Sequence, residues 1–317
     1  MSAPRPFVRP PALVPGSRVA VISPSSAIDP DECERGMAGL RALGWEPVCD
    51  PSALERDAYV AGPAELRAQA FLRAWRDPSI AAVVASRGGY GSAQILPWLE
   101  RDTLLATPKV FIGYSDTTAI LTWLTTGCGI TAVHGPMLDR RFASGTAGFD
   151  AGSLLFAVTA AGAGGWELTP PGLEALAPGE SAGVLVGGTL TLLCASLGTP
   201  WAFRPPEGAV LFLEDVNERP FRLDRMLTQL RLAGVFARVR AVVFGEMPGC
   251  DEDGGLSARD VARRVLAGFT GPVLFGFPSG HTAGPTWTLP LGVSVRVRAG
   301  AHARLLIDEP AVQSGRS

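Results

Sequence analysis

The stretch KVFIGYSDTTAILTWL (residues 109–124) runs an apolar segment into Ser115, Asp116, Thr117 and Thr118, then turns apolar again at helical spacing. The first part reads as a buried strand. The polar cluster reads as a helix start, because Ser, Asp and Thr side chains accept the first free N–H groups of a helix. The unit is strand, turn, helix, and Ser115 stands at the turn. Local sequence leaves two meanings open for that serine: a helix cap, or a nucleophile held out at a sharp bend. A nucleophile also needs a base, an orienting carboxylate and an oxyanion site.

The same alternation surrounds this unit. RVAVISP (18–24), IAAVVASRGG (80–89) and ITAVHGPM (130–137) read as strands, while DPDECERGMAGLRALG (29–44), PAELRAQAFLRAWRD (63–77) and SAQILPWL (92–99) read as helices. Apolar strands separated by helices predict an α/β fold: an N-terminal, mostly parallel sheet with flanking helices, Rossmann- or flavodoxin-like. From about residue 160 to 181, Gly and Pro punctuate the chain every few residues. This places a boundary between an N-terminal domain (1–165) and a C-terminal one (166–317). The second part has strands at GAVLFLED (208–215), VRAVVFGE (239–246) and PVLFGFPSGH (272–281), and helices at 218–234 and 256–269. VSVRVRAG and ARLLIDEP (293–300, 303–310) read as a terminal hairpin. A smaller α/β domain is expected there.

Composition excludes several chemistries. The net charge of −2 with dispersed arginines argues against nucleic acid and anionic membrane as partners. No uncharged apolar run reaches the roughly 18 residues of a membrane span. The N-terminal segment breaks its apolar runs with proline, unlike a secretory signal, and five scattered cysteines without a Cys-x-x-Cys pair suit a reducing compartment. A cytoplasmic protein is expected. Lys109, the single lysine, stands at a strand entrance, which disfavours both a P-loop and a Schiff-base enzyme. The three histidines, His134, His281 and His302, form no His-Glu-x-x-His motif, so neither a metal nor another cofactor is expected.

In parallel sheets, ligands collect beyond the carboxyl ends of the strands. The segments there are SRGGYGS (86–92), SDTT (115–118), HGPM (134–137), EDVNERP (214–220), EMPGC (246–250) and SGHTAG (279–284). SRGGYGS lacks the third glycine of a dinucleotide loop, since Gln94 stands at that position. Its bare N–H groups suit an anionic oxygen instead. His134 and His281 each end an apolar strand and either could be a base, with the small residues around His281 leaving room for a ligand. His302 lies in a polar hairpin. Glu214 and Asp215 end one strand on opposite faces, so only one can enter a site; spacing does not say which.

SRGGYGS, GYSD, HGPM, GTPW, LFLEDVNERPFRLDRMLTQL and FPSGH, in this order between residues 18 and 306, strongly resemble the LD-carboxypeptidases, serine peptidases that include the microcin C resistance peptidases. The resemblance implies Ser115 as nucleophile, Glu214 as orienting acid and His281 as base. It also implies an oxyanion hole from the N–H groups of Gly89 and Asp116, leaves the helix cap to Asp116, and suggests a homodimer. Thr189 stands where the family commonly has asparagine, which makes it a candidate substrate contact of altered reach. Trp201 and Glu246 are further candidates; Glu246 could accept an ammonium group.

The expected activity is release of the terminal D-alanine from murein tetrapeptides in peptidoglycan recycling. A peptidyl-nucleotide antibiotic is the alternative substrate. A binding protein without catalysis is disfavoured, because all three triad positions are filled.

Overall fold

The computed structural model describes residues 7–159 and 165–313. The start of the expected boundary, 160–164, and the first six residues lie outside that range. The first half contains strands β1 (Arg18–Ile22), β2 (Glu46–Cys49), β3 (Ile80–Ala85), β4 (Val110–Gly113) and β5 (Ala132–His134). Its helices are α1 (Pro30–Ala42), α2 (Ala64–Arg76), α3 (Ser92–Ile95), α4 (Arg101–Ala106), α5 (Thr118–Thr122) and α6 (Ala151–Val158). The second half contains β6 (Trp166–Leu168), β7 (Glu174–Ala177), β8 (Gly179–Thr189), β9 (Ala209–Glu214), β10 (Val239–Gly245), β11 (Val273–Phe277), β12 (Leu289–Leu291), β13 (Ser294–Ala299) and β14 (Arg304–Ile307). Its helices are α7 (Leu190–Ser196), α8 (Pro220–Leu232) and α9 (Ala258–Val265).

The first sheet has the order β12-β5-β4-β3-β1-β2. Its five strands from the first half are parallel and follow the flavodoxin-like order 2-1-3-4-5. β12 comes from the second half and pairs antiparallel with β5. The second sheet has the order β6-β14-β13-β8-β9-β10-β11-β7, with β8 to β11 parallel at its centre. By strand number this sheet is the larger, eight against six. The extra strands include β8, which the sequence reading passed over: five of its eleven residues are glycine or alanine and its start is polar, so its pattern is weak.

Burial explains why these segments are strands. Val110, Phe111 and Ile112 in β4, and all six residues of β9, are sealed from solvent. Such continuous runs suit strands covered on both faces. Helix caps follow their side chains: Asp29 accepts from the Asp31 and Glu32 N–H groups at α1, and Ser257 forms a capping box with Asp260 at α9. Among the described residues no helix is long and apolar enough to cross a membrane.

Two buried cations brace this frame. Lys109 donates to the carbonyls of Asp77 and Ile80 at 2.9 and 2.6 Å, a structural role. Arg67 in α2 donates to the carbonyls of Pro24, Gly62 and Gly91 and to Gln94, tying the ends of β1 and β3 together. Replacing it leaves several buried acceptors unpaired. Arg67→Met is expected to lower unfolding free energy by about 3 kcal/mol, read from denaturant melts.

Candidate active site

The carboxyl ends of β3, β4, β5, β9 and β11 converge here. β4 ends at Gly113, and Ser115 follows in a left-handed backbone conformation, φ 61°. A residue with a Cβ is strained there, and such strain at a strand-to-helix bend holds a side chain out from the sheet. The Ser115 hydroxyl packs against the glycine loop after β3. A Cβ at Gly88 would stand 2.8 Å from the Ser115 Cβ and 2.9 Å from its Oγ, so only glycine allows this approach. Gly89 follows at once along the same loop, and the N–H of Asp116 adjoins Gly88.

Asp116 corrects one expectation. Its side chain does not cap its own helix. It accepts instead from the Ser25 hydroxyl at 2.6 Å and the Ser92 N–H at 2.8 Å. The bend at Ser115 turns its carboxylate toward the loops after β1 and β3, where those donors have no closer acceptor. The elbow, the glycine loop and the end of β1 are thereby one hydrogen-bonded body.

The choice between Glu214 and Asp215 is resolved by alternation along β9. Glu214 is fully buried and accepts from His281 twice, from its N–H at 3.0 Å and its Nδ1 at 2.7 Å. Asp215 points the other way and accepts the N–H and hydroxyl of Thr191 at the start of α7. Burial alone would raise the Glu214 pKa, but the neighbouring His281, then His134 and the Thr189 hydroxyl, hold it well below the usual carboxylate range. Burial works to lower the His281 pKa, and the Glu214 charge and hydrogen bond outweigh it and raise it.

Thr189 also differs from expectation. Its register partner across β8 and β9 is Glu214, and its hydroxyl donates to that carboxylate. The side chain is thus buried on the acid, not turned toward a substrate, because the pairing of β8 with β9 directs it there. Gly188 beside it has φ 149°, and a Cβ there would stand 2.8 Å from Thr118. This approach lets the Thr189 N–H donate to Thr118 Oγ1 at 3.1 Å, joining the helix after Ser115 to the strand beside Glu214.

His134 is fully buried, bonded through Nδ1 to the Ser279 hydroxyl at 3.0 Å, with Nε2 4.0 Å from Glu214. Burial pushes its pKa down to about 4, so it is neutral at working pH. His302 is exposed in its hairpin. Trp201 is half-buried and lines a 370 Å³ cavity with Ala93, Leu96, Ala119 and Leu192, away from the Glu214–His281 pair. Glu246 accepts the Thr282 hydroxyl and the Ala283 N–H through one oxygen, and so anchors the chain just after His281.

Two further side chains bear on His281. Arg141 donates to the carbonyls of Gly280, Thr282 and Gly284, at 2.8–2.9 Å, clamping the loop that bears His281. The Tyr114 ring lies edge-on to the His281 imidazole, centroids 5.2 Å apart, and Tyr114 directly precedes Ser115. Arg141 sits four residues after HGPM, and Tyr114 lies inside GYSD, but neither residue type announces a contact with the His281 loop.

Comparison with known proteins identifies the family. The LD-carboxypeptidase N-terminal domain matches residues 19–135, and the LD-carboxypeptidase C-terminal domain matches residues 182–297. The murein tetrapeptide carboxypeptidase of Pseudomonas aeruginosa is 32% identical over 287 residues, covering 84% of this chain and 88% of that protein. The microcin C7 self-immunity protein MccF of Escherichia coli is 30% identical over 290 residues, covering 83% and 84%. A solved structure of MccF in complex with glutamyl sulfamoyl guanosine superposes with a TM-score of 0.88 at 26% identity, covering 96% of this chain and 99% of that one. With both of its domain models matched and relatives of this identity aligned over most of its length, the chain belongs to the LD-carboxypeptidase family.

Proposed function

We propose that this protein is a serine carboxypeptidase that releases the terminal D-alanine from murein tetrapeptides. The observation that carries the reading is the strained Ser115, held against the Gly88–Gly89 loop on a chain whose His281–Glu214 pair is already hydrogen-bonded. Ser115 Oγ attacks the carbonyl of the L-centre third residue and passes its proton to Nε2 of His281. Glu214 keeps the Nδ1 proton in place and stabilises the imidazolium that forms. The N–H groups of Gly89 and Asp116 receive the oxyanion, each worth roughly 3 kcal/mol of barrier. His281 then protonates the departing amine of D-alanine, and water, activated by the same histidine, releases the acyl group. The relative from Pseudomonas aeruginosa supports this substrate. The MccF relatives support the rival, a peptidyl-nucleotide.

Incubation with a disaccharide tetrapeptide and mass spectrometry is expected to show loss of one alanine. Ser115→Ala is expected to remove that activity by several orders of magnitude with an unchanged melting curve, His281→Ala to match it, and His302→Ala to leave turnover intact. A folded, active Ser115→Ala protein would overturn the serine mechanism.

Because only neutral His281 accepts the proton, kcat/KM rises with pH as that residue deprotonates. The raised pKa places the midpoint above the ordinary histidine value of 6.5. Glu214→Gln removes the charge that raises it, so the midpoint moves to lower pH while kcat falls by about 10⁴-fold. A midpoint that stays in place in Glu214→Gln would separate this pair from the pH profile.

The substrate class is tested with three compounds: a tetrapeptide with diaminopimelate or lysine third and D-alanine last, its L-alanine isomer, and an aminoacyl-nucleotide. The first is expected to be cleaved fastest. Glu246→Ala is expected to raise KM for it, and also to lower kcat because the His281 loop loses an anchor. Faster cleavage of the nucleotide would move the protein to the other branch.

A further inference from the structure

Two large aromatic side chains stand exposed beside the glycine loop, although nothing in the core requires them. Tyr59 and Tyr90 are 67% and 52% exposed and meet edge to face, with centroids 5.3 Å apart and planes at 75°. Exposed paired aromatics are uncommon on a surface that has no use for them. Their backbones are also fixed. Tyr59 rides on a tight turn closed by two hydrogen bonds between Asp57 and Val60. The Ser26 hydroxyl donates to the Tyr59 carbonyl at 2.6 Å and accepts the Tyr90 N–H at 3.2 Å, while Ser25 next to it holds Asp116. One dipeptide after β1 therefore positions both rings and the nucleophile elbow. The place has general meaning as well: the loops after β1 and β3 flank the point where strand order reverses, the crevice in which open α/β sheets bind ligands.

We propose that Tyr59 and Tyr90 form an aromatic corner that binds the face of an amino-sugar ring attached to the scissile peptide. The inference rests on the murein reading and names a further part of that substrate. Tyr90 lies two residues from Gly88, so its Cα is within about 7.6 Å of the glycine that packs on Ser115. Three extended residues separate the scissile carbonyl of a murein tetrapeptide from its sugar, about 10 Å, the same order as that Cα separation and a tyrosine side chain taken together. The axial C–H groups of a pyranose pack on a ring face, and its hydroxyls meet polar rim groups. A 490 Å³ cavity beside Tyr59 supplies such a rim, with the Asp57 carboxylate and the Gln94 amide among its lining residues. The guanidinium in that lining, Arg67, is committed to main-chain carbonyls. A neutral ring rich in hydroxyls fits this lining better than a phosphate-bearing nucleotide.

The experiment compares a disaccharide tetrapeptide with the same peptide lacking sugar, using wild type, Tyr59→Ala and Tyr59→Phe. Wild type is expected to show a KM about tenfold lower for the sugar-bearing substrate. The ratio falls to about one in Tyr59→Ala and is retained in Tyr59→Phe. Equal KM values in wild type, or a ratio untouched by Tyr59→Ala, would overturn the corner. A ratio that appears only with an aminoacyl-nucleotide would replace the sugar by a base. If neither tetrapeptide is cleaved, the murein reading fails, and the corner is read separately by saturation-transfer NMR with the peptide-free disaccharide. Ring-proton signals lost in Tyr59→Ala support it; their absence from wild type overturns it.

Discussion

The architecture turns on a carboxylate that water does not reach. Glu214 is fully buried, and an unpaired charge there would cost several kcal/mol. Its hydrogen-bond partners come from two directions, Thr189 from the neighbouring strand and the N–H and ring of His281 from the loop after β11, and the neutral His134 ring of the first sheet closes over it at 4.0 Å. Satisfying one acid therefore fixes the ends of several strands against each other. The His281 ring is oriented as a consequence of that burial.

The bracing extends outward from that point through groups that do not touch Glu214. Arg141 holds the carbonyls on either side of His281, Asp116 holds the glycine loop through Ser92, and Arg67 holds the same loop from behind. Loops fixed in this way hold Ser115 and His281 in place without further rearrangement. Most of these contacts join segments far apart in the chain, so the site forms only with the complete fold.

That long range is also why part of the site escaped the sequence. Apolar runs and the polar residues ending them are local, so the strands carrying Ser115, His134, Glu214 and His281 could be read directly, and family motifs then ranked the candidates. The choice between Glu214 and Asp215 was not legible in spacing and came from the resemblance alone, because it depends on which face of β9 meets the His281 loop. Thr189 was legible as a departure from the family pattern but not as a partner of Glu214, since the register of β8 against β9 is a tertiary fact. Asp116 reads as a helix cap by its position, yet stronger donors reach it from Ser25 and Ser92. β2 and β12 are short and carry Pro47 and Pro290, which suit sheet margins and weaken the strand signal.

The pairing of β12 with β5 reaches beyond the site. A strand from the second half forms the margin of the first sheet, directly against His134. A fragment ending between the two matched family domains would fold its parallel strands with the outer side of β5 bare. Its free N–H and C=O groups would then be a template for another chain. During synthesis the first sheet waits for about 150 further residues before that margin is covered. The pairing that closes the first sheet in the finished protein is, for a growing chain, a long-exposed seam.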